Sequence, residues 1–333
     1  MVSFVETRCM KHLTIVIPNG NNNLSSITGA YEVLSRADAY WKERGNKQLF
    51  RIQLAGMADT IPFNGGLFTV TPHTTIGAIS KTDLVIIPSL NHNYDIALKG
   101  NEPLVQWLLA HYAKGAEIAS ICTGAFLLAA SGLLNGRTCS THWSVTGVFR
   151  TMFPEVNLQT DKLITDENGI YTNGGAYSFL NLVLYLVEKY YDRQTAVHCA
   201  KVFQIEINRS RQSEFSIFSG QKNHDDAEVL GAQEYMERNL DEKISIEDLS
   251  SKFHVGRRNF DRRFIKATGN TPVEYAQRVK IEFAKKAFET NRTTVNEVMY
   301  KVGYSDSKAF REVFRKITGM SPLEYKGKYH KVG

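Results

Sequence analysis

The sequence predicts an α/β domain followed by an all-α domain. Three observations carry that reading. Up to about residue 190, short β-branched runs alternate with amphipathic stretches. From residue 227 onward no strand pattern survives, and apolar residues recur at spacings of three and four. Within that second part, one unit is repeated at an offset of fifty residues. A chain of 333 residues also exceeds one comfortable hydrophobic core, so two domains are expected.

"LTIVI" (13–17), "FRIQLA" (50–55), "DLVIIP" (83–88) and "AEIASI" (116–121) are almost continuously apolar. Strands buried on both faces of a mostly parallel sheet have this composition. Helical segments are expected at 26–44, 103–114, 124–131 and 178–191, which places helices on both faces of the sheet. "LITDENGIYTNGG" (163–175) fits a hairpin closed by an Asn-Gly turn. The polar stretch 204–226 has neither period and is assigned as a linker. The expected domains are therefore 1–203 and 227–333.

The opening "MVSFVETRCMKHLTIVIPNG" carries Glu6, Lys11 and His12 before a five-residue apolar run, which fits a first strand rather than a signal peptide. No apolar run approaches the ~20 residues needed to span a bilayer. The expected location is cytoplasmic, with no membrane partner. Four cysteines (9, 122, 139 and 199) lack any Cys-x-x-Cys pair, so neither a zinc site nor a disulfide framework is suggested. No metal or cofactor is called for. Charge is uneven: residues 226–333 hold 21 Lys/Arg against 16 Asp/Glu, and residues 1–225 hold 19 against 18. The second domain alone is basic, which supports a nucleic-acid reading only if motifs establish one independently.

The repeat supplies the motif. "FDRRFIKATGNTPVEYAQ" starts at 260 and "FREVFRKITGMSPLEYKG" at 310. Phe260/Phe310, Phe264/Phe314, Lys266/Lys316, Thr268/Thr318, Gly269/Gly319, Pro272/Pro322, Glu274/Glu324 and Tyr275/Tyr325 are identical. Each copy is preceded by a short helix ("SIEDLSSKF", "TVNEVMYKV") and a tight glycine-containing turn. Helix, turn, helix is the expected arrangement in both. The paired phenylalanines lie one turn apart and face the core. Arg257, Arg258, Asp261 and Arg262 are left on the opposite face of the first copy. Ser307, Lys308, Arg311 and Glu312, with Arg315 one turn on, occupy that face in the second. These are the candidate contacts to double-stranded DNA.

"TGMSPLEYK" closing a duplicated helix-turn-helix resembles the AraC/XylS family of transcription regulators over about residues 227–327. The resemblance implies two recognition helices entering successive major-groove segments about 34 Å apart, separated by the central helix 273–290.

In "ASICTGAFLLAASG" (119–132) a strand runs into Cys122, and Thr123 and Gly124 open a helix. Such a turn holds the thiol over free backbone N–H groups at the positive end of a helix dipole, which predicts a lowered thiol pKa. Small neighbours, Ser120 and Gly124, suit a sharp elbow. His142 in "STHW" is the candidate base. Cysteine followed by histidine on an α/β sheet resembles the PfpI branch of the class I glutamine amidotransferase-like superfamily over about residues 11–190. The resemblance also covers a subgroup of regulators with this domain ahead of an AraC-type tail, and "INRSRQSEF" (207–215) resembles that subgroup's linker. Catalytic members carry an acid after the first strand; here Ser26 takes that position, Glu32 lies six residues on, and Asn181 stands where an Asp is common.

The resulting expectation is a DNA-binding regulator, not an enzyme, whose first domain senses a small polar metabolite, dimerises, or does both. Its effector pocket is expected at Asn21, Ser26, Cys122, Thr123 and His142, with 91–94 as a further rim, for a small polar or zwitterionic metabolite. A homodimer is expected. The alternative from another class is a cysteine-dependent amidase carrying a DNA-targeting tail, against which the absent acid argues. A first domain that only dimerises, without any ligand, stays open.

Overall fold

A computed structural model describes residues 10–91, 93–222, 224–242, 244–290 and 293–330. The chain divides into two compact units, 1–212 and 213–333. The first is built on a seven-stranded sheet. Its strands are β1 (Lys11–Ile17), β2 (Phe50–Gly56), β5 (Thr74–Thr75), β6 (Leu84–Ile87), β7 (Glu117–Ile121), β10 (Ile164–Glu167) and β11 (Ile170–Asn173). Their order across the sheet is β10-β11-β7-β6-β1-β2-β5, and only β10 runs antiparallel to its neighbour. Two small pairs lie outside it: β3 (Ile61–Phe63) with β4 (Phe68–Val70), and β8 (Thr138–Cys139) with β9 (Asn157–Leu158).

The continuously apolar strands are explained by the two cores they separate. In β1, Leu13, Ile15 and Ile17 point into one cluster and Val16 into the other, as the two-residue strand period requires. Helices α1 (Leu24–Glu43), α6 (Phe179–Tyr190) and α7 (Arg193–Phe203) cover the first face. Helices α2 (Tyr94–Gly100), α3 (Glu102–Ala113), α4 (Ala125–Ala130) and α5 (Thr146–Met152) lie on the second. Helix α1 starts where the Asn23 side chain accepts from the Ser25 N–H, and it buries Ile27, Ala30, Val33, Leu34 and Ala37 at helical spacing. The expected Asn-Gly turn closes β10–β11, with Asn168 and Gly169 both at positive φ (52° and 74°).

The polar stretch 204–226 is shared between the units. Residues 205–212 run along the segment before β10: Ser210 C=O accepts from the Leu163 N–H, and the Gln212 N–H donates to Asp161 C=O. Gln212 is buried, and its Nε2 donates to Ser140 Oγ and to the carbonyls of Thr141 and Lys162 at 3.0–3.1 Å. From Ser213 the chain packs with the helical unit instead: Lys285 Nζ donates to Ser216 C=O (2.5 Å), and the Phe218 N–H donates to Glu282 (3.1 Å).

The second unit is all helix: α8 (Ala227–Arg238), α9 (Ile246–Lys252), α10 (Arg257–Thr268), α11 (Pro272–Thr290), α12 (Val295–Lys301), α13 (Ser307–Thr318) and α14 (Pro322–Tyr329). It contains two cores, one per repeat. Phe260, Phe264 and Tyr275 centre the first, and Phe310, Phe314 and Tyr325 the second. The copies agree in detail. Phe264 meets Tyr275 edge-on at 5.3 Å, and Phe314 meets Tyr325 at 5.5 Å. Thr268 and Thr318 each donate back to the carbonyl four residues earlier at 2.8 Å. Gly269 and Gly319 end α10 and α13 in the left-handed region that glycine tolerates. The tyrosine hydroxyls donate to Glu237 and Glu289.

Candidate functional site

Helix α9 ends at Lys252 and α10 begins at Arg257; α12 ends at Lys301 and α13 begins at Ser307. The second turn is thus one residue longer than the first. The side chains of Ser245 and Thr294 cap the first helix of each pair, and Asp306 caps α13 by accepting from the Lys308 N–H. Each second helix buries its two phenylalanines and turns its polar face outward.

The expected DNA-facing residues differ in how occupied they are. Arg257 is engaged twice, by Asp261 (3.0 Å) and by Glu247 on the preceding helix. Arg257 therefore braces α10 against α9, and Asp261 holds its guanidinium from within α10. Arg258 and Arg262 are exposed one turn apart, and Arg262 donates to Asn259 Oδ1 (2.9 Å). On α13, Ser307, Lys308, Arg311, Glu312 and Arg315 are all exposed, and none is in an ion pair among the described residues. Lys308, Arg311 and Arg315 follow the i, i+3, i+7 spacing of one helix face. Arg263, next to the first set, instead clamps Asp226 and Glu228 at the start of α8. Only the Arg257–Asp261 pair, at i, i+4 within α10, has a spacing visible in the sequence; the pairings of Arg257 with Glu247 and of Arg263 with Asp226 and Glu228 join separate elements.

The cysteine elbow is present. Cys122 sits between β7 and α4 with φ of 53°, a conformation costing an L-residue about 1–2 kcal/mol. A side chain at Gly124 would place its Cβ 2.6 Å from the Pro88 carbonyl oxygen, so only glycine lets the elbow close against that backbone.

The expected lowering of the Cys122 pKa is overturned. Burial pushes the thiol up from its ordinary value, and hydrogen bonds from Ser89 and Thr123 only partly oppose it. The thiol is only 4 % exposed, and desolvation penalises thiolate more than a six-residue helix stabilises it. Tyr94, close to the thiol, is likewise pushed up to about 12.

The remaining expected pocket residues are largely bound into the framework. Ser26 is buried; its hydroxyl donates to Asn23 C=O (2.7 Å) and accepts from the Ser89 N–H (3.1 Å). Ser89 also pairs with Thr123 Oγ1 (2.8 Å), which donates to Leu90 C=O (2.6 Å). His142 is half-buried and caps the turn at 143–145: its Nδ1 accepts from the Ser144 N–H (3.2 Å) and meets Ser144 Oγ at 2.7 Å. Burial lowers its pKa. Its neighbour Thr141, not His142, reaches the elbow, donating to the Cys122 carbonyl (2.9 Å). Asn21 is exposed at the rim, where its carbonyl accepts from the Asn91 N–H (2.8 Å); His92 of that rim lies outside the described residues, as does Cys9. Glu32 is exposed on α1, and the Asn181 amide is spent on the Glu206 carbonyl (2.6 Å). Ser89 and Thr141 escaped sequence reading. Only Thr141 had a nearby signal, since it precedes His142 in "STHW".

A parallel α/β sandwich with an elbow cysteine, followed by two helix-turn-helix units with cationic faces, defines a two-domain DNA-binding regulator. The comparisons agree. Residues 28–189 match the DJ-1/PfpI family, and residues 249–328 match a helix-turn-helix domain. The HTH-type transcriptional regulator GbdR of Pseudomonas aeruginosa is 23% identical over 308 residues, covering 91% of this chain and 81% of its own. The HTH-type transcriptional regulator CdhR of the same species is 26% identical over 225 residues, 66% of each chain. A crystal structure of a putative transcriptional regulator protein from Vibrio parahaemolyticus shares the fold over 58% of this chain and 99% of its own (TM-score 0.53, 24% identity). The chain is a DNA-binding transcriptional regulator of the AraC type with a DJ-1/PfpI domain ahead of its helix-turn-helix units. No helix among the described residues is long and apolar enough to cross a membrane.

Proposed function

We propose that this regulator reads a small polar molecule through its first unit and contacts DNA through Arg258, Arg262, Lys308, Arg311 and Arg315. Ser307 and Glu312 border that surface, while Arg257 and Asp261 position it. The observation that carries the DNA surface is the unpaired cationic row on α13. Arg311→Ala is expected to cost ~1–3 kcal/mol on the specific site and much less on random duplex, if it reads a base edge. Lys308→Ala, a phosphate contact, is expected to weaken both equally and to lower the salt slope by about one. Fluorescence anisotropy of the full chain at several salt concentrations separates the two outcomes.

The effector is expected at the mouth of the elbow, with Asn21 and His142 at the rim and Ser26, Cys122 and Thr123 behind. No catalytic turnover is part of the proposal. What supports this is the protonated, buried thiol, the histidine committed to Ser144, and Ser26 in the place of an acid. Purified protein assayed against amide, ester and glyoxal substrates, with Cys122→Ser as control, checks it. Cysteine-dependent turnover above background would overturn the reading. A cytoplasmic homodimer fits a regulator with this domain order, and sedimentation of the full chain checks the dimer.

A further inference from the structure

Helix α10 leaves a large aliphatic side chain in water. Ile265 is 46% exposed and lies outside the set of side chains packed on the Phe260, Phe264 and Tyr275 core. It follows Arg258 by seven residues and Arg262 by three, so it shares their face of the helix, away from the buried Phe260, Phe264 and Thr268.

The fold does not require an aliphatic group there. At the offset of fifty the equivalent residue is Arg315, which is also exposed. The two helix ends are otherwise alike: the Gly269 N–H donates to Ile265 C=O and the Gly319 N–H to Arg315 C=O, both at 2.8 Å. An apolar residue at this place in a helix end commonly packs on the residue after the glycine. Here that residue is Asn270, whose N–H and side-chain amide both donate to Thr268.

We propose that Ile265 is a specificity-determining residue that reads the C5-methyl group of a thymine in the major groove. The proposal rests on the reading that Arg258 and Arg262 face DNA. Those two guanidiniums draw the face against the anionic duplex, and Ile265 is carried in with them. In the major groove the thymine methyl is the apolar group; the other base edges present hydrogen-bond donors and acceptors. Isoleucine satisfies none of these, so over another base it strips water from a polar edge without replacing the bond. Thymine is thus favoured both by a gain at the right site and by a penalty at wrong ones. Helix geometry gives the position. Seven residues at 1.5 Å each put Ile265 about 10 Å from Arg258, the length of about three base pairs. The two recognition helices then read by unlike chemistry, an aliphatic group on α10 standing where α13 carries a guanidinium.

The test begins with selection from a library of random duplexes by the full native chain, Ile265→Ala, Ile265→Val and Arg258→Ala. The native chain is expected to enrich a thymine about three base pairs from the position that Arg258→Ala relaxes. Ile265→Ala should lose that preference alone, and Ile265→Val, still aliphatic, should keep it. On the selected duplex, deoxyuridine in place of that thymine removes only the methyl. Native affinity should fall about fourfold, the worth of one buried carbon, while that of Ile265→Ala stays the same. With cytosine at the position, adding the methyl back as 5-methylcytosine should tighten binding by the native chain and not by Ile265→Ala. An equal response of both chains to deoxyuridine would overturn the proposal. So would an identical enriched sequence from both, which would leave the isoleucine to a protein partner. Equal weakening of Ile265→Ala on selected and random duplex would make it a backbone contact and overturn it too. Enrichment that changes with Arg258→Ala but not with Ile265→Ala strikes this proposal alone, whereas no enrichment by the native chain removes the base-reading face of α10 and this inference with it.

Discussion

His254 and Gly303 occupy the same turn of the two repeats, and both have positive φ, 53° and 73°. Glycine adopts that region freely, whereas an L-side chain pays about 1–2 kcal/mol there. The His254 side chain is exposed, so its removal leaves no cavity. His254→Gly is expected to raise the stability of the helical unit by up to ~1 kcal/mol after the extra unfolded-state entropy of glycine is offset. A higher denaturant midpoint at unchanged slope is the sign to look for. Cys122 gives the second residue-scale expectation. Its thiol pKa is raised, so the thiolate fraction at neutral pH is below that of a free cysteine, and it grows only as pH climbs past the ordinary value of 9.0. Alkylation of Cys122 should therefore be slow at neutral pH and accelerate in alkaline buffer while the fold persists. Mass spectrometry of iodoacetamide-treated protein reads this directly, and rapid neutral labelling would restore the activated-thiol expectation.

At the scale of elements, each helix-turn-helix pair depends on its own aromatic centre. Phe264 and Phe314 are fully buried, each wedged between a second phenylalanine and a tyrosine from the following helix. Phe264→Ala and Phe314→Ala are expected to cost ~3–5 kcal/mol each, the usual effect of emptying an aromatic core site. Because the two clusters are separate, hydrogen exchange should rise mainly in the mutated repeat. This duplicated core was legible in the sequence, since eight identities at an offset of fifty cannot be met by a solvated surface. The buried strands were equally legible, from β-branched runs with no polar alternation. Short pairs such as Ile61–Phe63 with Phe68–Val70 were not, because three-residue strands carry no period and form only where tertiary neighbours hold them. The elbow at Cys122 was visible from its small neighbours, but its raised pKa was not. Burial of the thiol depends on tertiary packing, with Tyr94, 28 residues upstream, among the groups brought close to it. The same limit hid the Arg257 brace, whose partner Glu247 lies ten residues upstream on another helix.

At the scale of the molecule, the two units are joined through residues anchored on either side of the boundary at 212–213. The Gln212 amide is pinned within the α/β unit, its Nε2 donating among Ser140 Oγ and the carbonyls of Thr141 and Lys162. A few residues on, Ser216 and Phe218 are held to α11 by Lys285 and Glu282, which pair with each other at 2.7 Å with side chains only 5% and 10% exposed. Helix α11 is also the element common to both repeats; its 19 residues span about 28 Å at 1.5 Å per residue. The Lys285–Glu282 pair thus ties the incoming chain to the helix that sets the spacing of α10 and α13. Removing one partner of a buried pair leaves an uncompensated charge, at ~3–5 kcal/mol, whereas replacing both with neutral groups of similar size costs far less. Lys285→Met alone should therefore destabilise the helical unit strongly, and Lys285→Met with Glu282→Gln should recover most of the loss. A double-mutant cycle on chemical unfolding gives the coupling. If the clip sets the register of the two recognition helices, the double variant should fold and keep its salt-dependent binding to random duplex while discriminating less between operator and random DNA. Equal discrimination in the double variant and the native chain would reduce the clip to a purely stabilising contact.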